Sequence, residues 1–484
     1  MKRNRKAKIL ATLGPATSDS DMIEKLFKAG ADVFRLNFSH GSIEDHRKNY
    51  NSIRSLEKKY SHATCILADL QGPKLRVGLF NKDKVKLKKG QEFVLDLNPS
   101  HGDQTRVNFP HAEIYEILTP NTEILIDDGK IKLQIINQKK DILVTEVLND
   151  GIISNNKGVN IPGVILPISS LTSKDKSDLN KALEMGVDWI ALSFVQTDQD
   201  IMNLKKIVNR KASIIAKIEK PSALKNIESI IELSDGIMIA RGDLGVELPT
   251  ERVPVIQKKI INLCRDIGKP VIVATQMLES MVSNYAPTRA EASDVANAIY
   301  DGSDAVMLSA ESAIGKYPIE SVEIMNRIIE SVENDKDNFD LEIHHNEKIL
   351  KKTINTTDAI TSAAYTIARN AEAKALVTFS VSGKTTMRMA KERAPVLVVG
   401  LSPNIETARK NQLVWGVLSC HTEQDAQNTT EMVTIACKTI KEKDLAKEGD
   451  SIVITAGVPF GNAGSTNLLR IAKIINDNNS LKLD

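Results

Sequence analysis

Eight short apolar runs recur along this chain, beginning near Lys8 (KILATLG), Asp32 (DVFRLNFSHG), Thr64 (TCILADLQG), Trp189 (WIALSF), Ser213 (SIIAKIE), Gly236 (GIMIARGD), Pro270 (PVIVATQM) and Asp304 (DAVMLSAE). Amphipathic stretches separate most of them, at Ser20–Ala29 and at 174–184, 201–208 and 253–264. Strands that are apolar throughout and alternate with helices belong to a parallel sheet covered on both faces. Eight strand–helix units closing on themselves give an α/β fold, the (β/α)8 TIM barrel, expected here over 1–72 and 170–340. An open doubly wound sheet is the alternative, but polar residues at most strand ends favour closure.

Two regions break the rhythm. Between Gly72 and about Ser169 short alternating strands replace the helical pattern: LRVGLF, KVKLKK, EFVLDL, TRVNF, TEILIDDG and DILVTEVL, with turn signals at Asp127-Asp128-Gly129 and Asn149-Asp150-Gly151. This predicts a small all-β domain, a β-barrel, over 73–169, inserted after the third barrel strand. Its lysines at 82, 84, 86, 88 and 89 read as a solvated strand face. After a polar link at 334–346, a third region alternates helix and strand through ALVTFS, VLVVGL, GVLSC and SIVITAGV. An open α/β sheet domain with a regulatory role is expected over 341–484.

With 484 residues, two to four domains are the expectation. A net charge of +2 gives no basic field for nucleic acid or anionic lipid, and 4% aromatics argue against base stacking. No apolar run approaches the roughly 18 residues of a membrane span. The basic start MKRNRKAK leads into a strand without the apolar stretch of a signal peptide. Cys65, Cys264, Cys420 and Cys437 stand in no metal-ligand spacing and read as reduced thiols. A cytoplasmic protein with no nucleic-acid or membrane partner is expected.

In barrels of this kind chemistry sits where the strands end. Those ends carry Arg35, Asn37 and Ser39; Asp69; Lys217 and Glu219; Asp243; Thr275; and Ser309 with Glu311. Lys217 and Glu219 are two apart on one strand and therefore share a face. Burying so many charges costs several kcal/mol per unpaired ion. A hard divalent cation such as Mg²⁺ or Mn²⁺ would offset that cost on Glu219 and Asp243. Lys217 would neutralise a transferring phosphoryl group, with Arg35 as a second cation. By residue type alone, Thr275 and Ser309 read equally well as core hydroxyls.

RLNFSHG, DLQGPKLR, IIAKIEKPSAL, DGIMIARGDLGVE, VATQMLESM, PTRAEASDVANAIYDGSDAVMLSAES and GKYP together resemble pyruvate kinase, from Lys8 to the terminal GSTNLLRI. The resemblance implies transfer of the phosphoryl group of phosphoenolpyruvate to ADP, giving pyruvate and ATP with Mg²⁺, commonly in a homotetramer. It implies that Lys217 stabilises the moving group and that Glu219 and Asp243 hold the metal. Backbone amides at Arg241, Gly242 and Asp243 would receive the substrate carboxylate. Thr275 would face the enolate, Ser309 would belong to the proton route, and Arg35 would contact the phosphoryl group. Pro15, Asn37, His40 and Arg76 match positions around ADP.

The chain also departs from the family pattern. Many members bind an activating K⁺ with Asn, Ser, Asp and a Thr carbonyl; here Asn37, Ser39 and Asp69 are kept but Leu70 follows, and Lys74 replaces a glutamate. A resident ammonium could supply the charge of K⁺, worth on the order of 4 kcal/mol at about 4 Å and an effective dielectric near 20. This resembles the potassium-independent branch, and K⁺ is expected not to be required. The SFIRK lysine is absent, with Thr197 in its place.

Gly72-Pro73 and the region of Pro167 read as joints that let the inserted domain close as a lid. Thr378, Ser380, Ser382, Gly383, Lys384 and Thr385, between a strand and a helix, suit a phosphate and resemble the family's sugar-phosphate effector loop. Two rival readings are a metal-dependent barrel lyase or aldolase acting on pyruvate-like enolates, and a catalytically silent metabolite sensor.

Overall fold

The computed structural model describes residues 3–335, 355–459 and 466–475. The polar link beyond Asp335 and the first residues of GSTNLLRI lie outside that range. Eight parallel strands close into a barrel: Lys8–Leu13, Val33–Asn37, Cys65–Asp69, Trp189–Leu192, Ser213–Ile218, Gly236–Ala240, Val271–Ala274 and Ala305–Leu308. They are the eight apolar runs of the sequence. Leu10, Leu67, Trp189, Ile215, Met238 and Met307 fill the barrel interior. The surrounding helices begin on side-chain caps. In Ile43–Tyr60, Ser173–Met185 and Arg289–Tyr300, the reciprocal pairs Ser42 with Asp45, Thr172 with Asp175 and Thr288 with Glu291 satisfy the first amides.

At the end where the strands begin, four aspartates repeat one contact. Asp32, Asp188, Asp235 and Asp304 each stand just before a strand and accept an amide near the start of the strand preceding it. The donors are Ile9, Ile66, Ile214 and Val271, at 2.9, 2.7, 2.9 and 3.0 Å. Arg5, Arg54 and Arg393 pair with Asp32, Asp188 and Asp304 at 2.7, 2.8 and 3.3 Å.

The last domain seals this end. Its sheet runs in the order Val417–His421, Leu397–Ser402, Ala375–Phe379, Ser451–Ala456, Leu468–Lys473, with the last strand antiparallel. Leu413 joins the barrel-interior cluster, Lys8 Nζ donates to the Val417 carbonyl at 2.7 Å, and the Trp415 amide donates to Asp304 Oδ1 at 3.1 Å.

The inserted domain pairs six strands in the order Val159–Asn160, Glu123–Ile126, Ile131–Lys139, Ile142–Val147, Glu92–Asp96, Arg106–Asn108. A ribbon of Lys84–Leu87 with Gly151–Ser154 joins them around one core that includes Phe93, Phe109, Leu133 and Ile153. One expectation is corrected. LRVGLF forms no strand, only isolated bridges from Arg76 to Gly158 and from Phe80 to Gly102, because this stretch leads the chain from barrel to insert. A four-residue helix, Ala112–Tyr115, also appears.

Candidate active site

The strand ends converge on one cluster of buried charge. Lys217 Nζ lies 3.0 Å from Glu219 Oε1 and 3.1 Å from Asp69 Oδ1. It donates to Ser193 Oγ at 2.7 Å. Arg35 Nε donates to the second oxygen of Asp69 at 2.7 Å, and its Nη1 to Thr12 Oγ1 at 3.1 Å. Burial alone would push the Lys217 ammonium down, yet Asp69 and Glu219 hold it above the ordinary lysine value. Burial would raise Asp69, but Lys217 and Arg35 bring it below the usual carboxylate range. Glu219 is raised, by burial first and by Asp243 beside it, although Lys217 pulls the other way. Lys217 therefore stays charged although it is buried.

The raised Glu219 bears on whether a metal fits. Asp243 is close enough for its charge to raise Glu219, and it takes part in no ion pair or side-chain hydrogen bond among the described residues. A divalent cation on Glu219 and Asp243 would relieve that repulsion, and both ligands are hard oxygens. No group of three or more His, Cys, Asp or Glu side chains is placed to hold a metal among the described residues. Further oxygens would come from substrate and water, as is usual for Mg²⁺.

Asp243 lies in the helix Arg241–Glu247, which starts directly after the strand Gly236–Ala240. Arg241 is bolted down: it pairs with Asp294 at 2.7 Å and donates to the Thr275 carbonyl at 2.8 Å. The Gly242 amide, expected for a substrate carboxylate, donates to Thr275 Oγ1 at 2.7 Å. Thr275 has a φ of +70°. That left-handed conformation is an outlier for a β-branched residue and marks stored strain. Ser309 Oγ is buried with no hydrogen-bond partner, while its amide donates to Glu311 Oε2 at 2.7 Å. Glu311 also accepts from the Leu278 amide at 3.1 Å, joining two adjacent strand ends.

The residues expected around the nucleotide are more dispersed. Pro15 and His40 are exposed, and the Asn37 side chain accepts from the Ser39 amide at 3.2 Å. Arg76, in the inserted domain, donates to the Asn156 carbonyl at 2.8 Å and is exposed. Leu70 is buried, and its carbonyl accepts from Ser193 Oγ at 2.7 Å. Lys74 departs from expectation in one respect: it forms no ion pair with Asp69, whose two oxygens are taken by Arg35 and Lys217. It lines, with Asp128 of the insert, an open cleft of about 540 Å³ whose other wall includes Arg241, Gly242, Asp243 and Gln276.

In the last domain, Gly383, with a φ of +80°, caps the helix Lys384–Lys391 without a side-chain cap. Ser380 is half-buried, and Ser382 and Lys384 are exposed. Thr378 and Thr385 are spoken for, by Thr386 at 2.8 Å and Thr466 at 2.7 Å.

Sequence reasoning missed Thr12 and Ser193, which hold Arg35 and Lys217. They belong to the two barrel strands for which no polar end was named. The available signal was a hydroxyl within or just after an otherwise apolar strand, KILATL and WIALS. Phe194 was missed too: its amide donates to Glu219 Oε2 at 2.8 Å.

Comparison with known proteins shows the family. The pyruvate kinase barrel-domain family matches residues 4–322 and the pyruvate kinase alpha/beta-domain family matches 358–472. A pyruvate kinase of Agrobacterium vitis is 48% identical over 98% of both chains. One of Geobacillus stearothermophilus is 41% identical over 96% of this chain and 80% of its own. The crystal structure of a pyruvate kinase from Cryptosporidium parvum superposes with a TM-score of 0.92 at 33% identity, covering 97% of this chain and 96% of that one. With the Lys217 cluster at the mouth of its barrel, this chain belongs to the pyruvate kinase family.

Proposed function

We propose that the chain moves the phosphoryl group of phosphoenolpyruvate to ADP around Lys217, with Mg²⁺ or, in its place, Mn²⁺ on Glu219 and Asp243. The observation that carries this reading is the charged Lys217 ammonium, buried between two carboxylates beside the Arg35 guanidinium. Phosphoryl transfer is promoted mainly by positioned positive charge, and both cations are fixed before substrate arrives. When bound, the metal would neutralise charge on phosphoryl and enolate oxygens. Once the bond from phosphorus to the enol oxygen breaks and ADP takes the phosphoryl group, the enolate carbon needs one proton. Thr275 would face that carbon, and the unpartnered Ser309 hydroxyl is suited to hand the proton on. Pro15, Asn37, His40 and Arg76 would surround ADP, with Arg76 arriving as the insert closes.

Pyruvate and ATP formation from phosphoenolpyruvate, ADP and Mg²⁺ tests the reading. Pyruvate without ATP would favour the barrel lyase or aldolase. No turnover with any effector would favour the silent sensor, which the presence of Lys217, Glu219, Asp243 and Thr275 argues against.

K⁺ is not required in this reading, because Lys74 brings a resident cation to the cleft that holds Asp243. The Asn37, Ser39, Asp69 and Leu70 region would then lack a monovalent ion. A phosphorylated sugar would act at Ser380, Ser382, Gly383 and Lys384, where a helix start without a side-chain cap leaves amides for a phosphate. A homotetramer in the cytoplasm fits the family. No helix among the described residues is long and apolar enough to cross a membrane. Sedimentation and saturation curves across a panel of sugar phosphates test the assembly and the effector.

A further inference from the structure

Among the four residues after the strand Trp189–Leu192, Ser193, Phe194 and Gln196 touch both joints of the inserted domain and both members of the Lys217–Glu219 pair. Ser193 Oγ donates to the Leu70 carbonyl, beside the first joint, and accepts from Lys217 Nζ, both at 2.7 Å. Gly72, at that joint, has a φ of +72° and packs so closely that a Cβ would come within 2.6 Å of the Phe194 ring and 2.9 Å of Ser193 Cβ. Phe194 has a φ of +56° and donates its amide to Glu219 Oε2.

Gln196 takes the second joint. Its Oε1 accepts from the Leu166 amide and its Nε2 donates to the Leu166 carbonyl, both at 3.0 Å. Asp200 fixes this end of the strap. One of its oxygens accepts the Gln196 and Thr197 amides at 3.0 and 2.9 Å, and the other accepts Ser170 Oγ at 3.0 Å, where the chain re-enters the barrel.

We propose that the strap 193–196 transmits the position of the inserted domain to Lys217 and Glu219, with Gln196 as the positioning residue that senses it at Leu166. The proposal rests on the phosphotransferase reading above. Leu166 is packed in the core of the inserted domain, whereas Gln196 is held by Asp200 of the barrel helix Asp198–Val208. An amide that pairs with both the N–H and the C=O of one residue tolerates little displacement, since moving Leu166 stretches both bonds together. The strain passes along three residues to the Phe194 amide and the Ser193 hydroxyl, and these are the groups that aim Glu219 and Lys217.

The test compares Gln196→Met, Ser193→Ala and the double variant in the full chain. Gln196→Met should lower kcat by about tenfold, as expected for a slightly misplaced site, with the KM for phosphoenolpyruvate changed less than about twofold. Mn²⁺ binding to the substrate-free protein, read by electron paramagnetic resonance, should weaken severalfold, and the Leu166 amide should exchange its hydrogen faster. The double variant should lose less than the product of the single losses, because the residues act as one unit.

Faster exchange at Leu166 with unchanged Mn²⁺ affinity and kcat would make Gln196 a mere tether and overturn the proposal, as would multiplicative losses. Should Gln196→Met fail to fold, Gln196→Glu keeps the shape, loses the donor and sets a carboxylate oxygen against the Leu166 carbonyl, and the same readouts decide. If the parent chain makes no ATP, the phosphotransferase reading fails by itself, while the Mn²⁺ and exchange measurements still decide the strap.

Discussion

Asp69 holds Lys217 at 3.1 Å through one carboxylate oxygen, and the other oxygen holds Arg35 at 2.7 Å. A single buried anion therefore sets the spacing of the two cations proposed to meet the phosphoryl group. Asp69→Asn would leave them facing each other with Glu219 and, behind it, Asp243 as the remaining counter-charges. We expect kcat/KM to fall by roughly 10²-fold or more, the scale of losing a preorganised electrostatic contact. The Lys217 ammonium, held high in the parent by Asp69 and Glu219 against burial, should titrate at lower pH. An alkaline limb absent from the parent should then enter the pH–rate profile, and a parent-like profile would count against the role given to Asp69.

Lys217→Met should lower kcat by roughly 10²-fold or more. Glu219 and Asp243 remain in that variant, so Mn²⁺ should still bind. Single-turnover rates and a Mn²⁺ titration separate the two effects, and near-normal turnover would refute the assigned role.

Thr275 accepts the Gly242 amide at 2.7 Å. Thr275→Val keeps the shape and removes the acceptor, at a cost of about 1 kcal/mol in stability. It should also lower kcat by about tenfold or more by loosening the turn that carries Asp243. Thr275→Ser should retain most of both. Thermal unfolding and steady-state kinetics on the pair check this, and equal behaviour of Val and Ser would remove the hydrogen bond from the mechanism.

If Lys74 supplies the charge of K⁺ as proposed, the parent chain should be indifferent to K⁺ and Lys74→Glu should be stimulated by it. Tenfold or greater stimulation of the parent chain would overturn the account of Lys74.

His62 packs edge-on against Phe27, with ring centroids 5.4 Å apart. Burial, aided by Arg3 nearby, lowers its pKa from 6.5 to about 3. The unfolded chain therefore takes up a proton near pH 6.5 that the folded chain refuses. The stabilisation is complete above that pH and is lost as pH falls toward 3, by about 2 kcal/mol at pH 5. His62→Gln should flatten this part of the unfolding-versus-pH curve; an unchanged slope would assign it to other groups.

Much of the barrel was legible because parallel strands covered on both faces are uninterrupted apolar runs. Antiparallel pieces were harder. Ile131–Lys139 loses its alternation at Ile136 and Asn137, and Gly151–Ser154 and Val159–Asn160 have too few residues to show one. Leu468–Lys473 is an edge strand with no fully buried residue. Lys217, Glu219 and Asp69 could be grouped from strand periodicity and rim position alone. The bond from Gln196 to Leu166 could not, because no local pattern joins residues 30 positions apart in different domains.

The four aspartates that accept neighbouring strand amides put the seam of the barrel at the end away from the chemistry. Closure is written once every two strands, in a single residue type, at the end opposite the Lys217 cluster. The mouth is thereby relieved of being the only place that holds the ring together. A whole domain can be spliced in just beyond Asp69 and tied back near Leu171, and the barrel keeps its circumference while the tips of its strands remain free to be rewritten.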